Sequence, residues 1–476
     1  SLLTREVWAS DARAGTSDCS PLLRWLGQRR RWSTSSRTMG RASGHSALIV
    51  ESKHSCSNMM LNAKACGHSP PQLNGGMPTA GLAHGDAPGG EQDCIVSCMS
   101  TIQPIEYVAV KGFASIKDVK LTLAPDVTVL IGANGAGKSN IIRSFELMAH
   151  IMKSRLQNYV LARGGMNNLL HVGPQGRDSA LSLNVQFSPN DADTSNGYIA
   201  RLRSTDEDSA FLEEWLTFHD RKKYAAPYDS PLPAGTETAL EKLSGKEQRF
   251  AEYVRPLLAG IRVFHFDDVG SQAPPKTFSS VADNLSLHPD AGNIAAYLLR
   301  LKAELPDDYF EIVSAIRNVA PFFDDFVLVP EGASQDNVRL RWAQKNLDTV
   351  FNAAQLSDGT LRFICLATLL LAPDRPQCIV LDEPELGLHP HAIVQLAALL
   401  RKAAHAGRQC VVATQSALLL DEFSVHNVAV LTRNNGESQV VSPSEEQLEA
   451  FLSDYTLGEM WRMNLLGGNL RYEEAL

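Results

Sequence analysis

No apolar run in the 476 residues approaches the roughly 20 needed for a helix to cross a bilayer, so a membrane-spanning reading is set aside and a soluble, cytoplasmic chain is expected. The eight cysteines, at 19, 56, 66, 94, 98, 365, 378 and 410, contain no CxxC pair. That spacing argues against common zinc frameworks; a set made of His54, Cys56, Cys66 and His68 fits no usual template. Cys365, Cys378 and Cys410 lie in apolar segments and read as reduced core thiols. Sustained heptads are missing, which excludes long coiled-coil arms, and no internal repeat is apparent. Positive charge is also scarce. Net charge is −9, and because residues 1–98 carry ten Lys and Arg against seven Asp and Glu, the remainder carries −12. A standing, whole-surface attraction to nucleic acid is thereby disfavoured, and any DNA contact has to be local.

What is present divides into a head and a body. Residues 1–98 are rich in Ser, Gly, Arg and Pro without sustained 2.0 or 3.6 periodicity, and are expected to be disordered. They imitate an organelle transit peptide, but Glu6, Asp11 and Asp18 interrupt the pattern. Met99 is the more economical start, with the preceding residues a non-native upstream extension. The body predicts strands at Tyr107–Val110, Val119–Leu123 and Val127–Ile131, then over 180–187 and Tyr198–Leu202. A polar, helix-leaning stretch follows from about 207 to 260, broken by Pro227, Pro231 and Pro233; helices are predicted over 292–318. The last third reads as orderly α/β: helix Leu361–Leu371, strand Cys378–Leu381, helix Ile393–Ala404, and strands Val411–Thr414 and Val428–Leu431. The expected division is 99–187 and 346–476 as the two parts of one α/β domain, with 188–345 an inserted helical and β lobe.

Gly132-Ala-Asn-Gly-Ala-Gly-Lys138-Ser139 fits G-x-x-x-x-G-K-[ST] between an apolar strand and a helix start at Asn140. Glycines let the backbone curl so that successive N–H groups face phosphates, and the helix adds its positive end. Gly132, Asn134, Gly135, Ala136, Gly137, Lys138, Ser139 and Asn140 are therefore candidates to bind the triphosphate of ATP. Lys138 would neutralise β and γ oxygens, and the Ser139 hydroxyl would coordinate Mg²⁺.

A second strand, Ile379-Val-Leu381, ends in Asp382-Glu383-Pro384. Two solvated acids at a strand end are the plainer explanation of the pair alone. Beside a phosphate loop the stronger one is that Asp382 holds the Mg²⁺ water shell and Glu383 polarises an attacking water as general base.

Leu356-Ser357-Asp358-Gly359-Thr360, a helix, and then Asp382 resemble the signature and acidic motifs of ABC-class ATPases. Glu385-Leu-Gly-Leu-His389-Pro390 looks like their D-loop, and Ala413-Thr414-Gln415-Ser416 sits where their switch histidine lies. Lys111-Gly-Phe113-Ala-Ser115 and Gly137-Lys-Ser-Asn140 are similar to heads of the structural-maintenance-of-chromosomes (SMC), RecF and overcoming-lysogenization-defect clade. Val263-Phe-His265-Phe-Asp267-Asp268, Ser357 to Arg362 and Leu457-Gly-Glu look like segments of stand-alone predicted AAA-type ATPases. The resemblance covers about 105–476.

It implies a P-loop NTPase fold with ABC-type head architecture, a mixed sheet flanked by helices. It also implies ATP hydrolysis with Mg²⁺ and closure of a homodimer on ATP, with Ser357, Asp358 and Gly359 facing the γ-phosphate of the second copy. Gln415 would take part in catalysis; it can donate to phosphate but carries no proton, so slow turnover is expected. Asp358 stands where many relatives have glycine. The Q-loop glutamine has two candidates, Gln175 and Gln272, whereas Gln186 is expected to face out of a strand. His265, Asp267 and Asp268 are either an approach to the metal or a surface acid cluster beside a core histidine. Work on DNA, in repair or phage defence, is implied, with DNA a candidate partner and a nuclease or toxin effector acting in trans, since the chain ends 93 residues after Glu383. The alternative is an ATP-gated protein scaffold or toxin regulator that binds no nucleic acid. A transporter motor is disfavoured because more than two hundred residues separate Ser139 from Ser357; no membrane partner is expected.

Overall fold

The computed structural model describes residues 103–268 and 270–468. The expectations about residues 1–98, the Met99 start and the His54/Cys56/Cys66/His68 set lie outside the described residues.

Two six-stranded sheets organise the body. The first is antiparallel. Its strands are β1 (Ile105–Phe113), β2 (Ile116–Thr122), β4 (Ala180–Phe187), β5 (Thr194–Ser204), β6 (Ala210–Asp220) and β7 (Tyr228–Pro231), in the order β2-β1-β4-β5-β6-β7. The second is mostly parallel. It contains β3 (Val127–Gly132), β8 (Ile261–Phe264), β9 (Cys378–Asp382), β10 (Gln409–Ala413), β11 (Val428–Asn434) and β12 (Glu437–Val441), in the order β8-β9-β10-β3-β11-β12. Only β11 and β12 pair antiparallel in it.

Burial follows from this arrangement. All residues of β3 and β10 are buried, as expected of a parallel strand covered on both faces. Successive side chains then divide between two cores. Val127, Val129, Ile131, Ile379, Leu381 and Val412 face the helical layer formed by α3 (Ile294–Glu304), α4 (Pro306–Val319), α5 (Asp358–Leu371) and α6 (Pro390–His405). Leu130, Val380, Val411 and Ala413 face α1 (Lys138–Met152), α2 (Gly245–Ala259) and the antiparallel sheet. The parallel sheet is the partition. Cys365, Cys378 and Cys410 are buried free thiols, and burial pushes Cys365 and Cys410 up to about 12, which keeps them protonated and inert.

Residues 188–345 differ from the expected lobe. Strands β5 to β7 extend the sheet begun by β1, β2 and β4, while β8 forms the edge of the parallel sheet beside β9. Residues 210–220, expected to lean helical, are a strand that pairs with β5 from Ser204↔Ala210 to Thr194↔Asp220. The local preference of Glu213 and Glu214 for helix yields to that pairing. Glu214 is buried and fully used: it accepts from the Tyr198 hydroxyl, from Thr238 Oγ1 at 2.7 Å and from the Ala239 amide at 2.8 Å.

Candidate nucleotide site

Strand β3 delivers the chain into Gly132, where a Cβ would stand 2.4 Å from the Leu431 carbonyl of β11. Gly135 and Gly137 adopt φ of 80° and 110°, a region closed to most side chains, and a Cβ on Gly137 would lie 2.2 Å from Ser438 Oγ. The loop so formed leaves its donors free. Among the described residues, the amides of Asn134, Gly135, Gly137, Lys138 and Ser139 donate to no oxygen, whereas Ala136 N–H donates to Ala133 O and Ala133 N–H to Gly468 O. Five free N–H groups at the start of α1 make a receptor for an anion. Lys138 is buried, and its Nζ donates to Gly132 O at 2.7 Å and to Ala133 O at 3.4 Å. Burial lowers its pKa, opposed by the charges of Glu383, Asp382 and Glu385. Asn140 is placed differently from the other loop residues: its amide group donates to Ser115 Oγ at 2.7 Å, so its side chain braces α1 against the β1–β2 turn.

Asp382 ends β9, two strands from β3, with Asp382 opposite Ala413 and Ala413 opposite Leu130. Ser139 at the start of α1 is close enough to lower the Asp382 pKa against the larger effect of burial, so the phosphate loop and the acidic strand end lie side by side. Burial raises the Asp382 pKa, and its Oδ1 is buried with no partner. An orphaned carboxylate oxygen beside a serine hydroxyl is a hard-oxygen set that fits Mg²⁺.

Glu383 takes φ of 43°, unusual for a non-glycine, with its N–H bound to Ala413 O at 2.8 Å. Its carboxylate accepts from Gln415 Nε2. Glu385, not singled out from sequence, completes this group. It is buried; one oxygen accepts from Thr414 Oγ1 and from the Gln415 amide at 3.3 Å, and the other has no partner. Burial raises its pKa. Glu385 thus fixes the backbone of Gln415, whose side chain holds Glu383. A third acid in Asp-Glu-Pro-Glu, one more than an exposed turn needs, was the available signal.

The signature segment is built as a helix start. Ser357 caps α5, its Oγ accepting from Thr360 N at 3.2 Å and lying 2.7 Å from Thr360 Oγ1. Asp358 stays exposed, 3.6 Å from Lys276 Nζ, and this cation offsets its charge. Gly359 packs on the segment after Glu385: a Cβ there would lie 2.3 Å from Gly387 O. Alanine in a helix normally gains about 1 kcal/mol over glycine. Here contact with a backbone oxygen outweighs that gain, and Gly359→Ala is expected to destabilise by about 1–3 kcal/mol. A lowered thermal midpoint checks it.

The two glutamines proposed for the Q-loop are exposed, and among the described residues no hydrogen bond ties Gln175 or Gln272 to the phosphate loop or the acidic pair. Gln186 does not face outward. It is buried, donating to Ser195 Oγ at 3.1 Å and Asn196 O at 2.9 Å and accepting from Thr217 Oγ1 at 3.4 Å, beside Gly197, which pairs with it on β5 and carries no side chain. The segment beside the acidic strand end is instead the one leaving β8, since Phe264 pairs with Leu381 and so brings His265 level with Asp382. His265 Nε2 lies 2.5 Å from Glu146 Oε1 on α1. That hydrogen bond raises the His265 pKa, with Asp267 and Asp382 adding to it. Arg362 of α5 is buried against the same segment, donating to Phe266 O at 2.8 Å and Asp267 O at 3.2 Å. Residues 265–267 therefore bridge α1 and the signature helix. Asp268 is exposed and turned to its own backbone, accepting from Gly270 N.

A family profile described as "AAA domain, putative AbiEii toxin, Type IV TA system" matches residues 127–421, from β3 through the switch segment. Among solved structures, an Smc head bound to the C-terminal winged-helix domain of ScpA is similar at 16% identity and a TM-score of 0.50. The match covers 73% of this chain and all of that one. A Pyrococcus furiosus Smc head with an extended coiled coil, bound to the C-terminal domain of ScpA, matches at 14% identity and TM-score 0.47 over 74% of this chain and 99% of its own. The Thermotoga maritima SMC head matches at 13% and 0.39, over 72% and 99%. The first of these carries the fold: a mixed α/β P-loop ATPase head.

Proposed function

Because the chain belongs to this AAA-domain family, P-loop ATPases of the SMC and ABC-like clade, we propose that it hydrolyses ATP to ADP and phosphate and couples hydrolysis to closure of a homodimer. One observation supports this above the rest: the parallel sheet brings Asp382 to the phosphate loop, Asp382 standing opposite Ala413 and Ala413 opposite Leu130, with Ser139 close enough to act on the Asp382 carboxyl. In this reading the free amides from Asn134 to Ser139 and the Lys138 ammonium receive the triphosphate. Ser139 and Asp382 hold Mg²⁺, which when bound neutralises charge on the β and γ oxygens. Glu383 accepts the proton of the attacking water, oriented by Gln415. Ser357 and Gly359, with Asp358 balanced by Lys276, close on the nucleotide of the second copy.

The use of closure rests on the resemblance to the SMC, RecF and overcoming-lysogenization-defect clade, against the negative charge of the body. On that ground we assign DNA-associated work through a local contact, in repair or phage defence, with a nuclease or toxin effector in trans and a cytoplasmic setting. The second reading, an ATP-gated toxin regulator, is favoured by the toxin–antitoxin description of the family and by the −12 charge outside residues 1–98. The ATPase rate with and without double-stranded DNA separates them. Stimulation that falls steeply with salt supports the first; no binding and no stimulation transfers the assignment to the second. Solution mass with ATP tests closure itself, and a monomer indifferent to ATP overturns it.

A further inference from the structure

The order of the parallel sheet sets how a nucleotide lies. Asp382 and Glu383 end β9, and Gln415 follows β10; both strands stand on one side of β3. A triphosphate seated in residues 132–139 with its γ end toward those acids carries its nucleoside end to the other side of β3. There the sheet continues into β11 and β12, whose hairpin lies against the β1–β2 turn.

That side holds no exposed ring at the turn. Phe113 and Ile116 are 1% and 0% exposed, leaving Ala114 and Ser115 at the tip. What stands there is Arg433. Its side chain is exposed, Nη1 lies 3.4 Å from Gly135 O, and Nε donates to Gly436 O at 3.1 Å. Two contacts on different nitrogens fix the plane of the guanidinium beside the phosphate loop. Its hairpin is anchored as well. Ser438 N donates to Ser115 O at 2.9 Å, the two serine hydroxyls are 2.8 Å apart, and Lys117 pairs with Glu437 at 2.9 Å. Among the described residues no carboxylate pairs with Arg433. A planar cation, held in place and uncompensated by charge, is suited to stack on an aromatic face.

We propose that Arg433 is the platform for the nucleoside end of the bound nucleotide, its guanidinium face stacking on the purine base. The proposal rests on the ATP-binding reading above. It makes Arg433 a binding and specificity residue separate from the groups assigned to hydrolysis. A phosphate contact and a base contact differ in one respect: inorganic tripolyphosphate keeps the first and lacks the second.

The test is calorimetric affinity of the full chain for ATP and for tripolyphosphate, each with Mg²⁺. Arg433→Ala is expected to weaken ATP by about 3- to 30-fold and to leave tripolyphosphate unchanged. Arg433→Lys keeps the charge without the plane and is expected to recover less than half of the lost affinity on a logarithmic scale. Arg433→Gln keeps a polar group on the hairpin and carries the same expectation as alanine, should alanine disturb folding. ATP affinity unaltered by both Ala and Gln overturns the proposal, as does an equal loss for ATP and tripolyphosphate. A wild-type chain that binds no ATP defeats the nucleotide reading and this inference with it, whereas normal wild-type binding with unaltered variants defeats only the platform.

Discussion

Glu383→Gln is expected to lower ATP turnover by about 10²- to 10⁴-fold, the usual contribution of a positioned general base, while ATP affinity stays near that of the unaltered chain. The reasoning starts from geometry. Glu383 follows Asp382 with φ of 43°, its amide is tied to Ala413 O, and its carboxylate is met by Gln415 Nε2. Glutamine matches glutamate in size, so the backbone and the packing of the acidic turn persist. What disappears is the capacity to take a proton. The Gln415 amide then faces a carboxamide oxygen and keeps an acceptor, which leaves the binding groups undisturbed. Steady-state phosphate release and calorimetry on one preparation measure both quantities. With hydrolysis stopped, the variant is also expected to accumulate as an ATP-dependent dimer by light scattering. Equal losses in affinity and turnover would place Glu383 in binding rather than in proton transfer.

Lys138→Ala is expected to weaken ATP binding on the order of 10²-fold or more, from the loss of charge-assisted hydrogen bonds to phosphate. The Lys138 ammonium sits between Gly132 O and Ala133 O, inside the ring of free amides, so no other cation of the loop can replace it. Truncation also removes the side-chain donor to Gly132 O, while Ala133 O keeps the Ala136 N–H. Lys138→Met fills the volume without the charge and separates the electrostatic loss from a packing defect. The expected pattern is that both variants fold, with midpoints close to each other, and neither binds ATP at concentrations that saturate the unaltered chain. Retention of affinity by Lys138→Met would mean that the amides alone hold the phosphates.

Particular residues show where sequence reading succeeded and where it stopped. The glycines at 135 and 137 were legible because each answers a local demand, φ in the left-handed region, and Gly132 because it opens the same eight-residue pattern, although what requires it is the close approach of Leu431 O from β11. Apolar runs such as Val127–Ile131 and Ile379–Leu381 were legible because a buried parallel strand is apolar on both faces. Glu385 belongs to a visible motif, but its part as a buried brace is not legible there, since burial of an acid is decided by neighbours. Gln186 is buried for the same reason: its alternating strand context implies an exposed face, yet Ser195 and Asn196 of β5 and Thr217 of β6 engage its amide. Residues 210–220 read as helix-leaning because their strand identity comes from an eleven-residue ladder with β5. Arg433 carried no motif at all.

By itself, the sequence determined the phosphate loop and the acidic strand end. These depend on backbone conformation and on chemistry confined to a few consecutive residues. Tertiary structure alone decided that β8 would border β9 and bring His265 level with Asp382, that Glu385 would support Gln415, and that the β11–β12 hairpin would set Arg433 beside Gly135. Those placements come from pairing between strands separated in sequence by other elements, Ile261 with Cys378, Cys378 with Gln409 and Val129 with Val428. Their registers are chosen by packing of the whole sheet, a quantity no short stretch of sequence contains.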